Sequence, residues 1–467
     1  MFLRYFYNDK LAQASYMVGC QRTGEAIVVD PGRDIDEYLQ VAEQEELKIT
    51  AVTETHIHAD FISGSREMSA RTGATMYLSD EGDENWKYQF VAGTPHQLVY
   101  DGDVFMVGNI KFEVMHTPGH TPEHISFILT DTAGANKPMG IFTGDFVFVG
   151  SIGRPDLLEK AAKIADTADA GARQMFNSVQ RFKQLPDYLQ VWPGHGAGSA
   201  CGKGLGAIPS STVGYEKLFN GMLQYEDEEA FVEALLAGQP EPPKYFAMMK
   251  RLNKEGAAVL NGIPVPAKLD DAKIAAVLAE TIVVDTRSAE SFAAGHIPGT
   301  INIPHNSSFT NWAGWFLPYD QQFYVITAES NIDALTRDLI SIGLDNLAGY
   351  FDLSVLDGVA LQNYQIAKPA ELADTLAKGE ATLVDVRNQT EWDEGHIPQA
   401  THIMLGYLTE RVNEVPVANG YPVVVQCRSG ARSAIAASIL QAKGIENVIN
   451  MAGGINEWEA DNLPLAK

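Results

Sequence analysis

The sequence predicts a multidomain chain of mixed α/β and α+β character, and three observations carry the prediction. At 467 residues it is too long for a single ordinary core, since domains commonly run to about 100–150 residues. Its first half alternates strand-like and helix-like segments that end in polar turns. Its second half repeats one pattern: "VVDTRSAESFAAGHIPGTINIP" and "LVDVRNQTEWDEGHIPQATHIM" place Asp285/Asp385, Arg287/Arg387 and the two Gly-His-Ile-Pro runs 100 positions apart. Length, alternation and duplication give about three domains.

The elements follow in order. "EAIVVDP" and "LKITAVTET" read as buried strands, with "DIDEYLQVAEQEEL" between them as an amphipathic helix. "NIKFEVMHT", "HISFILTD" and "MGIFTGD" read as further strands ending in ligand-rich turns, and a helical stretch occupies much of Leu157 to Phe182. The proline-dense "AGQPEPPKYF" closes a first domain over residues 1–245. The repeats occupy 266–360 and 366–467, each with a later strand ("QFYVITA", "YPVVVQC") followed by a helix.

Composition narrows the function classes. Sixty acidic residues against 34 basic ones leave a net charge of −26, which repels nucleic acid and anionic membrane. No apolar run approaches the roughly 18 residues needed to span a bilayer, and "MFLRYFYNDKLAQ" lacks a secretory pattern. Three cysteines in so long a chain form no disulfide framework. The expectation is a soluble cytoplasmic protein.

Two constellations carry chemistry. In "THIHADFISG", His56 and His58 lie just past a strand, and an extended backbone sends both side chains to one side. Asp60 follows, and then Phe61, which cannot bind a metal. "HTPGHT" gives His116 and His120, "TGD" gives Asp145, and "PGHG" gives His195. Imidazoles and carboxylates are ligands for zinc or iron, and so many of them at strand ends argue for a metal site over scattered structural histidines. The second constellation is Cys427 in "VVVQCRSGARSAIAASIL", between a buried strand and a helix. A tight loop there turns backbone N–H groups toward the sulfur, and Arg428 and Arg432 add positive charge, so the thiol becomes a nucleophile.

Residues 1–245 resemble the metallo-β-lactamase fold, an αββα sandwich, through the H-x-H-x-D run, the glycine-preceded histidine, the "TGD" aspartate and the late histidine. Hydrolases of that superfamily, such as the hydroxyacylglutathione hydrolases, hold two metals, and the second would need the residue at Phe61 with Asp60 and His195. Persulfide dioxygenases of the same fold hold one ferrous iron, which the resemblance places on His56, His120 and Asp145, with three coordination positions left open. His58, Asp60 and His195 then belong to the pocket or its support, although His58 could also bind directly. His116 is read as structural, and Arg154 in "GRPD" as a local organiser. The Cys427 loop, with "DVRNQTEW" and "GHIP", resembles the rhodanese sulfurtransferases, whose loop cysteine carries a sulfane sulfur. The first repeat places Ile326 or Thr327 where that cysteine would stand, so it resembles a rhodanese in fold only. Cys201, in a loop too rich in glycine and serine to suggest a core, is placed near the substrate path, and Cys20 is read as structural.

In this order the parts resemble persulfide dioxygenase–sulfurtransferase fusions. The resemblance implies one Fe(II) per chain, oxidation of a low-molecular-weight thiol persulfide by O2 to sulfite, and exchange of sulfur with sulfite and thiosulfate at Cys427. Two rival readings are a zinc-dependent thioester hydrolase and a non-catalytic sulfur carrier. The identity of the thiol, the direction of sulfur transfer and the oligomeric state, homo-oligomer included, stay open at this level.

Overall fold

The computed structural model describes residues 1–157, 159, 167–417 and 420–466. It divides into two compact units, Met1–Pro264 with Ile340–Gly343, and Val265–Leu339 with Leu344–Lys467.

The first unit is built on two six-stranded sheets. One runs β1 (Phe2–Asn8), β2 (Gln13–Cys20), β3 (Glu25–Val29), β4 (Lys48–Thr53), β5 (Thr75–Ser79) and β6 (His96–Val99) in sequence order. Its first three strands pair antiparallel and the rest parallel, because helices α1 (Asp36–Gln44) and α2 (Ser65–Thr72) supply the crossovers. The other sheet contains β7 (Val104–Val107), β8 (Ile110–His116), β9 (Ile125–Asp131), β10 (Gly140–Gly144), β13 (Gln190–Pro193) and β14 (Ser211–Thr212), and a short hairpin β11–β12 (Val147–Phe148, Ser151–Ile152) follows β10.

Strand alternation sorts the core into layers. Ile27 and Val29 of β3 face Phe105, Phe112, Phe127 and Trp192 of the opposite sheet. Their neighbours Ala26 and Val28 turn the other way, onto Tyr38 and Ala42 of α1 and Met68 of α2. On the far side of the second sheet, Ile141 and Val191 pack on Ala172, Met175, Val179 and Phe182 of helix α3 (Thr167–Lys183). The result is an αββα sandwich. Of the helical stretch expected over Leu157–Phe182, residues 158 and 160–166 lie outside the described residues. The β1–β2 hairpin had no counterpart in the sequence reading. Cys20 ends β2 inside the core between the sheets, where its sulfur accepts the Asn109 N–H at 3.3 Å.

The second unit holds the duplication as two parallel sheets. The first repeat orders its strands β16 (Ile301–Asn302), β15 (Val283–Asp285), β17 (Phe323–Ile326), β18 (Leu347–Phe351). The second reproduces this order as β21 (Ala400–His402), β20 (Thr382–Asp385), β22 (Val423–Gln426), β23 (Val448–Met451), and adds the edge strand β19 (Gln365–Ala367). In the first repeat that edge shrinks to a single parallel bridge, Lys268 to Tyr350.

The shared motif is structural. Arg287 and Arg387 each grip the aspartate two residues earlier with Nε and a terminal nitrogen, and donate to the carbonyls of Gly295 and Gly395 at 2.9 and 2.8 Å. His296 stacks on Phe292 with ring centroids 3.8 Å apart, and His396 on Trp392 at 3.7 Å. The two repeats share a core, since Phe292 and Ala293 of the first lie in one buried cluster with Val384, Val425 and Cys427 of the second.

Candidate functional site

Four strand ends of the first unit deliver the metal-ligand residues. His56 follows β4, His120 lies in the turn between β8 and β9, Asp145 follows β10, and His195 follows β13. His56, His120 and Asp145 are fully buried, and their ligand atoms all lie within 4.8 Å of one another. Asp145 Oδ2 stands 3.8 Å from His56 Nε2 and 3.5 Å from His120 Nε2.

Neighbours set which nitrogen each ring presents. His120 Nδ1 faces the Arg154 carbonyl at 2.9 Å, and His195 Nδ1 faces the Ala12 carbonyl at 2.9 Å. A carbonyl only accepts, so both rings carry their proton on Nδ1 and keep the Nε2 lone pair for the site. His56 Nδ1 lies 3.0 Å from the Thr55 hydroxyl, which donates to Asp30 Oδ2 at 3.0 Å. The sequence reading missed Asp30, a residue at positive φ whose Oδ1 also accepts the Thr55 N–H at 2.7 Å. It missed His124 too, whose Nε2 accepts the Asp145 N–H at 3.1 Å and fixes the start of that turn. Glycine is required beside Asp145: a Cβ on Gly194 would stand 2.7 Å from Asp145 Oδ1.

Charge distribution is lopsided. Burial pushes His56 and His120 below the usual histidine value, so both are neutral and able to coordinate. Burial pushes the Asp145 carboxyl up, but His195, His56 and His120 outweigh it and hold the group well below its usual range. His58 differs: burial opposes its charge, yet Asp30, with Glu54 and Asp60, raises it to about 9. His58 Nε2 lies 3.0 Å from Asp30 Oδ1, so that nitrogen is turned to the carboxylate and away from the ligand group. His116 is half-buried, with Nε2 2.8 Å from the Pro122 carbonyl.

Phe61 is buried, and its ring lies against His58 with centroids 4.3 Å apart. The loop is pinned by Asn253 on helix α4 (Tyr245–Glu255), which donates to the carbonyls of His58 and Phe61 at 2.8 and 2.7 Å and accepts the Ser63 N–H at 2.9 Å. Nothing in the sequence around Asn253 announces this role.

Asp60 and His195 form a second group with Cys201, again with ligand atoms within 4.8 Å of one another. Cys201 is 1% exposed, which corrects the expectation that so glycine-rich a loop lies outside a core. Arg154 holds it there: its N–H donates to the Cys201 carbonyl at 3.1 Å, while its guanidinium grips Asp156 with two 2.7 Å bonds and donates to Pro240 O at 2.8 Å. Burial pushes the Cys201 thiol up.

In the second unit Cys427 follows β22 and precedes helix α7 (Ala431–Ala442). Its sulfur accepts the Gly430 N–H at 3.1 Å and lies 3.5 Å from the Ser433 hydroxyl, a donor the sequence reading overlooked. Gly430 takes φ 98°, where a side chain would be strained. Arg428 is exposed. Arg432 is bound by both terminal nitrogens to Glu391, at 2.6 and 2.7 Å, so its charge is largely answered. Residues Ser429, Gly430 and Arg432 line a cleft of about 950 Å³ whose other wall includes Glu290, His305 and Asn306 of the first repeat. In that repeat Thr327 is buried at the position that matches Cys427.

The group His56–His120–Asp145 suits a divalent metal. His56 Nε2 and both Asp145 oxygens are buried without a well-formed hydrogen bond among the described residues, a costly state unless a cation is their partner.

Comparison with known proteins gives two family matches: "Metallo-beta-lactamase superfamily" over residues 8–195, and "Rhodanese-like domain" over residues 266–359 and 368–461. A solved metallo-beta-lactamase from Staphylococcus aureus subsp. aureus COL is 45% identical, covers 75% of this chain and 99% of its own, and superposes with a TM-score of 0.68. A beta-lactamase hydrolase-like protein of Xylella fastidiosa (strain 9a5c) is 30% identical over 251 residues, 49% of this chain and 53% of its own, so the chain spans about half the length of that relative. A hydroxyacylglutathione hydrolase of Prochlorococcus marinus (strain MIT 9211) is 27% identical over 179 residues, 38% of this chain and 62% of its own. No helix among the described residues is long and apolar enough to cross a membrane.

Proposed function

The chain belongs to the metallo-β-lactamase superfamily and carries two rhodanese-like domains, and from that premise we propose that it is a persulfide dioxygenase coupled to a sulfurtransferase. The observation that carries the reading is the His56–His120–Asp145 group: two neutral imidazoles and one carboxylate, buried beside a loop whose next ligand position is Phe61. A ferrous ion held by these three would supply open positions for a sulfur ligand and dioxygen. The protein's part is to hold the ligands still. Thr55 and the Arg154 carbonyl orient the two rings, Asp30 fixes Thr55, and His124 fixes the backbone of Asp145. Charged His58 offers a fixed cation for an anionic persulfide or for the sulfite that leaves. In balanced form, a thiol persulfide, dioxygen and water give the thiol, sulfite and two protons.

The second half of the reaction falls to Cys427. Its thiolate attacks the outer sulfur of a persulfide, the S–S bond breaks, and the carrier leaves as a thiol. Sulfite then takes that sulfur from Cys427, regenerating the thiolate and releasing thiosulfate. The Gly430 N–H and Ser433 hydroxyl face the sulfur and stabilise its negative charge.

Metal content and oxygen uptake test the proposal. The expected result is about one iron per chain and oxygen consumption with at least one thiol persulfide from a panel of carriers. His56→Ala, His120→Ala and Asp145→Ala should each lose iron and oxygen uptake together. An iron-loaded protein that consumes no oxygen with any persulfide overturns it. A second reading, a zinc-dependent thioester hydrolase, is favoured by the Asp60–His195–Cys201 group beside the first and by the likeness to a hydroxyacylglutathione hydrolase. Under that reading the zinc-loaded protein hydrolyses an acylated thiol and leaves oxygen untouched.

A further inference from the structure

The second ligand position after Asp60 is filled by Phe61, a side chain with no donor atom, and on sequence grounds that leaves Asp60 and His195 two ligands short of a metal site. The fold supplies another. The loop after His195 turns back so that Cys201 meets Asp60 and His195, and the three donor atoms, oxygen, nitrogen and sulfur, all lie within 4.8 Å of one another. This placement is built. Arg154, fully buried, ties the Cys201 carbonyl with its N–H, and Gly153 and Gly202 bridge the two segments. The Ser199 hydroxyl accepts the Cys201 N–H at 3.0 Å.

The donors point to a cation. Asp60 is 4% exposed, and neither of its oxygens has a well-formed hydrogen bond among the described residues. His195 gives Nδ1 to the Ala12 carbonyl, so Nε2 is the atom facing Asp60 Oδ2 at 3.1 Å and Asp145 Oδ1 at 3.4 Å. Asp145 is thereby divided, with Oδ2 toward His56 and His120 and Oδ1 toward His195. A buried carboxylate, imidazole and thiol on one centre are the donor set of a borderline-soft divalent ion.

We infer that Asp60, His195 and Cys201 form a second metal site, for a divalent cation of the zinc class, in which the Cys201 thiolate supplies the ligand that Phe61 withholds. Binding forms a metal–sulfur bond and breaks the Cys201 S–H bond. The proton goes to solvent and no electrons change hands. The site does not depend on which metal the first group takes or on persulfide being the substrate.

The test uses full-length protein loaded with ferrous iron under anaerobic conditions and then titrated with cobalt(II), whose bond to a thiolate gives a near-ultraviolet charge-transfer band. The band should saturate at about one cobalt per chain and release about one proton. Zinc should bleach it, and magnesium, a hard ion, should not. A Cys20→Ser/Cys427→Ser double variant leaves Cys201 as the remaining cysteine of the three and should keep the band. Cys201→Ser should lose it at least tenfold while retaining its iron. No band in the double variant, or an undiminished band in Cys201→Ser, overturns the inference. Bleaching by magnesium overturns the assigned cation class. Should Cys201→Ser fail to fold, the double variant decides alone. Iron content, measured separately, reports on the first group, so failure of the one-iron reading is told apart from failure of this one.

Discussion

Asp30 contributes no ligand, yet three groups of the centre depend on it. One oxygen accepts the Thr55 N–H and faces charged His58, and the other accepts the Thr55 hydroxyl that orients His56. Asp30→Ala should weaken iron binding by about 10–100-fold, the usual cost of losing a partner behind a ligand, and a competitive chelator titration measures it. Asn253→Ala should leave the carbonyls of His58 and Phe61 and the Ser63 N–H without their partner, at a cost of about 1–3 kcal/mol read from urea unfolding. The ligands themselves were legible because each sits in a turn with a recognisable run of residues. Asp30, His124 and Asn253 were not, since a residue that acts through a hydrogen bond to a distant segment leaves no local pattern.

At the scale of elements, alternation made β3, β4, β8, β9, β10, β17 and β22 readable, whereas β1–β2 was missed. The Cys427 loop shows how an element can redirect a residue's charge. Glu391 starts helix α6 (Gln389–Glu394) by accepting the Asn388 N–H, and it also binds Arg432. Burial raises the Glu391 carboxyl, but Arg432 and the Asn388 N–H outweigh it and leave the group below its ordinary value. A carboxyl lowered by folding contributes stability that is fully present above its unfolded value, about 4.3, and is lost as pH falls through the folded one. Glu391→Gln should therefore cost about 1 kcal/mol near neutrality, once solvent screening is discounted, and progressively less on acidification below pH ~4. Urea midpoints of parent and variant across pH 3–7 check this; a pH-independent gap contradicts it.

At the scale of the whole molecule, the metal group and Cys427 stand on separate cores, and each half-reaction should survive loss of the other. Cys427→Ser, with a hydroxyl that stays protonated and holds no persulfide sulfur, should still consume oxygen with a thiol persulfide but release sulfite in place of thiosulfate, as product chromatography would show. Thiosulfate formed at the parent rate would remove Cys427 from the scheme. The cysteine-free repeat is bound up with the stability of its neighbour through Phe292, so Phe292→Ala should cost about 3–5 kcal/mol and lower the unfolding midpoint of the Cys427-bearing repeat. By itself the sequence determined the classes of fold, the duplication, the ligand-bearing turns and the nucleophilic loop, because strand alternation, repeat spacing and turn chemistry are local and written in consecutive residues. Only the tertiary structure decided that Arg432 is answered by Glu391, that the two repeats share one core, and that Cys201 stands beside Asp60 and His195. Each of these joins segments far apart along the chain, and such meetings are set by how the packed layers bring strand ends together.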